Sequence, residues 1–272
     1  MIKLIATDID GTLIEEGTAV LPRELFDAID GLREHGVVFA AASGRQYMGM
    51  TRLFAPVADR IVFISENGAN VVSNGEHLYA SYIDPAIVRE MQAYVRTTFP
   101  GCHFTMSTTK AMYSDGETDL EYRKLMTEGY HNDMVFSDNI DPDTLQVIKM
   151  SIFCGSGITP FAAQIEEKWK DRLNVVVAGF PWIDFIKPGT DKGTALQMLQ
   201  QKLGISQEET MAFGDNHNDV GMIKAAGESY AVETARTAVK EAAKYLVDGY
   251  EKQGVVRKIE ELLQEMNRQG GK

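Results

Sequence analysis

The sequence predicts an α/β protein, a doubly wound parallel sheet built from both ends of the chain with an α+β domain inserted between them. Three observations carry that prediction. Unbroken apolar runs alternate with helix-spaced segments near both termini, as in sheets covered on both faces. Between about residues 81 and 188 the pattern changes to strand candidates grouped around two helix openings. The terminal apolar runs end in polar, glycine-bearing loops, the place where open α/β sheets bind their ligands.

The elements follow in order. Residues 4–9 have the length and bounds of a buried strand and lead into Asp8-Ile9-Asp10-Gly11-Thr12. Leu21, Leu25, Ile29 and Leu32 recur at helical spacing behind Pro22, and Gly36 stops the run. Residues 37–42 and 61–64 are continuous apolar runs that end in Ser43-Gly44-Arg45 and Ser65-Glu66-Asn67-Gly68. In the insert, Asp84-Pro85 opens a helix carrying Ile87, Met91 and Val95, with cap residue and first-turn proline in the right order. Thr159-Pro160 opens a second, with Phe161, Ile165, Trp169 and Leu173 four residues apart. Strand candidates lie at residues 103–106, 111–113, 147–153, 175–178 and 183–186, which suggests a pseudo-duplicated insert. Beyond Pro188-Gly189 the first pattern resumes. It gives a helix at 192–203, a strand at 210–213, a helix at 219–226, strands at 229–232 and 245–247, and an amphipathic helix at 255–266. A polar, frayed tail is expected at 267–272. The expected core is residues 1–82 with 188–272, and the expected insert 83–187.

Composition narrows the function. A chain of 272 residues, 44% hydrophobic and 24% charged, has the material for two packed domains. The net charge of −12 argues against nucleic acid as a partner, because phosphate backbones need clustered Lys and Arg. It still admits a small phosphorylated ligand, since a local cation and one lysine can invert the field in a cleft. Met1 leads straight into the first strand, and no apolar run approaches membrane-spanning length, so a cytoplasmic protein with no membrane partner is expected. Cys102 and Cys154 are read as two reduced thiols in or near strands. The oligomeric state, monomer or dimer, is not legible.

Four loops carry candidate chemistry. Asp8 and Asp10 at a strand end would repel each other and be costly to desolvate unless a cation sits between them. Mg2+ takes one or two carboxylates together with phosphate and water. Asp8 is then the candidate for both ligand and nucleophile, and Asp10 for proton transfer to the leaving oxygen and from water. Gly214-Asp215-Asn216-His217-Asn218-Asp219 also follows an apolar strand. A turn with an Asx cap would use the same residues. Paired with the first loop, Asp215 completes a metal site with Asp219 near or behind it, Asn218 orients a phosphate oxygen or a neighbour, and His217 stays on the surface. Ser43 and the Gly44 region form an anion site that a simple helix N-cap would equally produce. Lys192 opens a helix against its dipole, which makes sense if the ammonium faces an anion. Nucleophile, cation and clamp are the parts that phosphoryl transfer needs.

These residues resemble the haloacid dehalogenase superfamily, in its Cof-type branch of small-molecule phosphatases. Asp8-Ile9-Asp10-Gly11-Thr12 is similar to the first motif of that family, Ser43-Gly44-Arg45 to the second and Lys192 to the third. The 214–219 segment is similar to the fourth. Ser65-Glu66-Asn67-Gly68-Ala69 and Asp184-Phe185-Ile186-Lys187-Pro188-Gly189 are also similar to this branch. The resemblance spans nearly the whole chain. It implies a Rossmann-like core, a type C2 α/β cap between the second and third motifs, and Mg2+-dependent hydrolysis through a phosphoaspartate on Asp8. It further implies Asp10 as acid/base with a backbone carbonyl on the metal, and Asp215 as metal ligand. Thr12 and Asp219 are in support, and Ser43, Gly44, Lys192 and Asn218 contact the phosphoryl group. The chain departs from the family at Val232-Glu233-Thr234-Ala235 and at residues 248–255, both outside the four motifs.

The expected function is a phosphatase acting on small phosphorylated metabolites, with sugar phosphates foremost. A hexose phosphomutase of the same superfamily and a non-catalytic phosphometabolite-binding regulator are the alternatives. Substrate selection is expected to lie in the insert, with Asp184, Phe180 and Trp182 as candidates, although the two aromatics would serve equally as core. A hinge is expected near residues 81–84 and 187–190, where both linkers carry turn-forming residues.

Overall fold

A computed structural model of the chain describes residues 1–130, 132–177 and 180–270. In chain order the elements begin with β1 (Leu4–Asp8), α1 (Arg23–Glu34), β2 (Val38–Ala42), α2 (Tyr47–Leu53) and β3 (Val62–Ser65). Next come β4 (Asn70–Ser73), β5 (Glu76–Ala80), α3 (Pro85–Thr98), β6 (His103–Ser107), β7 (Met112–Ser114) and α4 (Leu120–Lys124). They continue with β8 (Met134–Phe136), β9 (Lys149–Phe153), α5 (Thr159–Trp169), β10 (Asn174–Val177) and β11 (Trp182–Ile186). The chain closes with α6 (Lys192–Leu203), β12 (Thr210–Gly214), α7 (Val220–Lys224), β13 (Glu228–Val232), α8 (Thr237–Ala242), β14 (Tyr245–Val247) and α9 (Gly254–Gly270). Among the described residues no helix is long and apolar enough to cross a membrane.

Two compact units result, Met1–Leu78 with Asp191–Lys272, and Tyr79–Thr190. The division falls a few residues outside the expected 83–187 on each side, so residues 79–82 and 188–190 belong to the inserted unit. The linkers meet inside that unit, where the Ser81 and Thr190 hydroxyls hydrogen-bond at 2.7 Å.

The first unit holds a sheet in the order β14-β13-β12-β1-β2-β3-β4-β5. It is parallel from β14 through β3, and β4 turns back antiparallel on β3. β1 is buried along its length and pairs with β2 on one side and β12 on the other. The chain leaves β1 toward β2 and returns later to β12, so the loops after these strands open at a switch in strand order. The β4–β5 hairpin was not foreseen, although Asn74-Gly75 between strand-like runs is a two-residue turn signal. Both residues take the positive φ that such a turn demands, 48° and 75°.

The inserted unit holds the sheet β10-β11-β9-β6-β7-β8. The expected helices form there, with Asp84 capping α3 by accepting the Ala86 N–H. They pack on one face of the sheet, where Val88, Met91 and Val95 of α3 and Ile165 and Trp169 of α5 join Phe104, Met150, Ile152, Ile183 and Phe185. β8 and α4 were not foreseen. Of the strand expected at 175–178, residues 175–177 lie in β10 and Ala178 lies outside the described residues. The tail expected to fray is helical through Gly270, and residues 271–272 lie outside the described residues.

The cysteines require a correction, for Cys102 and Cys154 are joined as a disulfide with Cα atoms 4.5 Å apart. β6 and β9 run antiparallel with His103 opposite Phe153, and the next residues outward on the two strands are these cysteines. Their pairing follows from a strand register between segments 52 residues apart, which composition does not reveal.

Candidate active site

β1 delivers its acids where the sheet stops. Asp8, the last residue of the strand, is buried, and the chain then turns tightly, with the Gly11 N–H donating to the Ile14 carbonyl at 2.7 Å. Gly11 has φ +85° and lies so close to the Asp215 carboxylate that a Cβ there would collide with it. The Thr12 hydroxyl donates to Asp215 Oδ1 at 2.9 Å and fixes the two acidic loops to each other.

The loop after β12 is organised by Asp219. Its Oδ2 accepts the backbone N–H groups of Asp215 and Asn216, each at 3.0 Å. A short 3-10 turn (His217–Asp219) precedes α7, which therefore starts one residue later than expected. His217 is exposed. Lys192 is the first residue of α6 and is fully buried. A capping box between Asp191 and Thr194 satisfies the helix start without it. The ammonium reaches instead to Asp8 Oδ1 at 2.5 Å and Asp219 Oδ1 at 2.6 Å. The dipole conflict legible at Lys192 is thus resolved by two carboxylates.

The loop after β2 differs from its expectation. Ser43 does not cap a helix, because α2 begins at Tyr47 behind Gln46. The buried Ser43 hydroxyl accepts the Arg45 N–H at 3.1 Å. Arg45, which had no role in the sequence reading, grips Asp10, with Nε to Oδ2 at 2.8 Å and Nη2 to Oδ1 at 2.5 Å. Nη2 also donates to the Thr18 carbonyl at 2.8 Å. Asn67 was likewise missed. Glu66, Asn67 and Gly68 take three consecutive positive φ values of 52°, 55° and 94°, a conformation that costs free energy and clusters at functional loops. The Asn67 N–H donates to the Ser43 carbonyl at 3.0 Å, and its Oδ1 accepts the Asn218 amide at 3.0 Å. Its side chain also fills the space beside Gly44. One residue thereby couples the Ser43–Gly44 loop to Asn218. The hints in the sequence were its place directly after a strand and within the 65–69 segment similar to the Cof-type branch, neither of which gave it a role.

Asp8, Asp215 and Asp219 each offer a carboxylate oxygen, all within 4.8 Å of one another. Hard oxygen donors at this spacing suit a divalent cation such as those that coordinate phosphate. Both oxygens of Asp219 are already engaged, by Lys192 and by backbone N–H groups, so it orients the cluster more than it offers a vacant lone pair. The carboxylate of Asp10 is held by Arg45. Burial pushes the Asp8 carboxyl well above the ordinary carboxylate range, and Asp219 and Asp215 add to that against Lys192. Burial raises Asp215 too, with Asp219 second. For Lys192 burial works downward, but Asp219 and Asp8 outweigh it and hold the ammonium charged. One cation among three acids leaves negative charge to be neutralised, as a bound divalent ion would do.

The candidates of the inserted unit separate. Asp184 is buried on β11 with its Oδ2 3.5 Å from Lys149 Nζ. Trp182 belongs to an aromatic cluster with Phe153 and donates its indole N–H to the Tyr130 hydroxyl at 3.1 Å. Phe180 is exposed.

Comparison with known proteins agrees with this geometry. Residues 5–259 match the family of haloacid dehalogenase-like hydrolases. A 5-amino-6-(5-phospho-D-ribitylamino)uracil phosphatase of Escherichia coli is 29% identical over 267 residues, covering 96% of each chain. A crystal structure from Eubacterium rectale is 32% identical with a TM-score of 0.86, covering 96% of this chain and 99% of its own. A solved subclass IIB sugar phosphatase of the same superfamily shares the fold at 23% identity and a TM-score of 0.80, over 96% and 98%. The chain therefore belongs to the haloacid dehalogenase-like hydrolases and is an enzyme of their phosphatase type.

Proposed function

We propose that the protein is a Mg2+-dependent phosphomonoesterase of small phosphorylated metabolites, sugar phosphates foremost, working through an aspartyl-phosphate on Asp8. The observation that carries this reading is the Asp8 carboxylate at the end of the central strand, 2.5 Å from a buried lysine and beside two further acids. Relatives named as phosphatases support it.

In this reading an Asp8 oxygen attacks phosphorus and the bond from phosphorus to the ester oxygen breaks. Asp10 gives its proton to that departing oxygen. Water then attacks the phosphorus of the acyl phosphate, Asp10 takes its proton, and inorganic phosphate leaves with Asp8 restored. Lys192 holds Asp8 in line, while Ser43, the Gly44 backbone and Asn218 contact the equatorial oxygens. Mg2+, held by Asp8, Asp215 and the Asp10 carbonyl, would neutralise charge on those oxygens. We place the enzyme in the cytoplasm; the Cys102–Cys154 bond weighs against that, since cytosolic thiols are kept reduced.

Phosphate release from an aryl phosphate and from a panel of sugar phosphates, with Mg2+ and with chelator, tests the proposal. Release that requires the metal is expected. Conversion of a hexose monophosphate into its positional isomer without free phosphate would establish a mutase instead.

A further inference from the structure

The turn Glu66–Gly68, wholly within the first unit, is where several loops of the site meet. Glu66 and Asn67 donate their backbone N–H groups to the Arg45 and Ser43 carbonyls, at 3.1 and 3.0 Å, and so bracket Gly44. Carbonyl and N–H point in opposite directions across a trans peptide, so the bond to the Ser43 carbonyl turns the Gly44 N–H away from Asn67. From the loop after β12, the Asn218 amide donates to Asn67 Oδ1 at 3.0 Å. Gly68 abuts the peptide that leads into Lys192, and with φ +94° a Cβ there would collide with the Asp191 carbonyl.

The backbone bonds of this turn would survive a change of side chain at Asn67. Only the carboxamide supplies the acceptor for Asn218 and the surface beside Gly44, where a Cβ would lie 3.1 Å from Oδ1 and 3.2 Å from Nδ2. Asn67 is 3% exposed, so water competes little for that bond. Asparagine also serves in ordinary turns, where it tolerates positive φ and bonds its own backbone two residues on. Asn67 bonds instead to a side chain 151 positions away. Two successive non-glycine residues at positive φ are uncommon, and such strain persists where the surroundings enforce it.

We propose that Asn67 is a positioning residue for the phosphoryl clamp, its carboxamide fixing the Asn218 amide relative to the Gly44 backbone before substrate arrives. The inference rests on the phosphatase reading and adds to it a residue that touches no substrate. An amide is planar and carries two N–H donors, so spending one on Asn67 sets the direction of the other. Donors held in place serve the transition state most, because charge then spreads over equatorial oxygens at defined points.

Asn67→Gly deletes the carboxamide at a φ that glycine adopts without strain. In steady-state phosphate release from an aryl phosphate with Mg2+, it should lower kcat about 10- to 100-fold and change KM less than about threefold. Inhibition by orthovanadate, which takes the five-coordinate geometry of the transferring group, should weaken by a similar factor. Asn67→Asp keeps the acceptor and the tolerance of positive φ, so it should recover much of kcat while its charge raises KM. In an Asn218→Ala background, Asn67→Gly should cost less than about threefold more, because the group it positions is gone. Asn67→Ser, one atom shorter than the reach to Asn218, carries the same expectations should urea unfolding show the glycine variant to be unfolded. A wild-type kcat in Asn67→Gly would mean that the turn needs only its backbone conformation, and overturns the role. An Asn67→Asp kcat no better than that of Asn67→Gly, or a full loss multiplied onto Asn218→Ala, overturns it too, with the phosphatase reading left standing. A wild-type protein that neither releases phosphate nor binds vanadate overturns both.

Discussion

Arg45 holds both carboxylate oxygens of Asp10, at 2.8 Å from Nε and 2.5 Å from Nη2, while its Nη2 also reaches the Thr18 carbonyl. The planar fork fixes the direction of the carboxylate in a way that a point charge does not. Under the proposed mechanism, in which Asp10 moves protons, this makes Arg45 a positioning residue for Asp10.

Replacing Arg45 should therefore slow the chemical step more than binding. Arg45→Met is expected to lower kcat by about 10- to 100-fold, the scale of a 1 Å misplacement, with little change in KM. Arg45→Lys should recover only part of the loss. Steady-state phosphate release reads both, and an unchanged kcat in Arg45→Met would remove the positioning role.

His103 gives the inserted unit a pH dependence of known sign. Its Nδ1 lies 3.3 Å from Asp115 and its Nε2 3.2 Å from Asp119. Burial lowers its pKa, but the two carboxylates prevail and raise it above the ordinary value of 6.5. Stability from this contact is therefore full below about pH 6.5 and is lost as pH rises through the higher folded value. Asp119, lowered chiefly by the Tyr122 N–H, loses its share only in acid, as pH falls through its depressed value. Asp119 is half exposed, so the effect should stay below about 1 kcal/mol. Urea unfolding at about pH 6 and about pH 9 should show this loss in the wild type and a flatter response in His103→Gln.

The disulfide is testable by mass. Without reductant, Cys102 and Cys154 should resist alkylation in the denatured protein, and both should label after reduction. Closing a 52-residue separation stabilises by about 4 kcal/mol in the chain-entropy view, so Cys102→Ser should lower the midpoint of urea unfolding accordingly. Full labelling without reductant would return the pair to thiols.

The parts legible in the sequence are those written locally. Apolar runs without alternation mark β1, β2, β3 and β12, because strands covered on both faces need no polar side. The caps at Asp84 and the misfit of Lys192 against its helix dipole are also local statements. What escaped depends on pairing across the chain. The Asp10 partner stands 35 positions away and the Asn218 partner 151, while the cysteines meet only because of a strand register. The β4–β5 hairpin is different, since Asn74-Gly75 announces it and short half-exposed strands such as β5 carry a weak apolar signal.

The central claim is that Asp8 carries the phosphoryl group, and acid-quenched enzyme analysed by mass spectrometry during turnover of an aryl phosphate tests it most directly. The wild type should show a phosphoryl adduct on Asp8 that chases to inorganic phosphate. Asp8→Asn should show none and release phosphate at least about a thousandfold more slowly. An Asp8→Asn protein that keeps the wild-type rate, or an adduct found on another residue, would contradict the account.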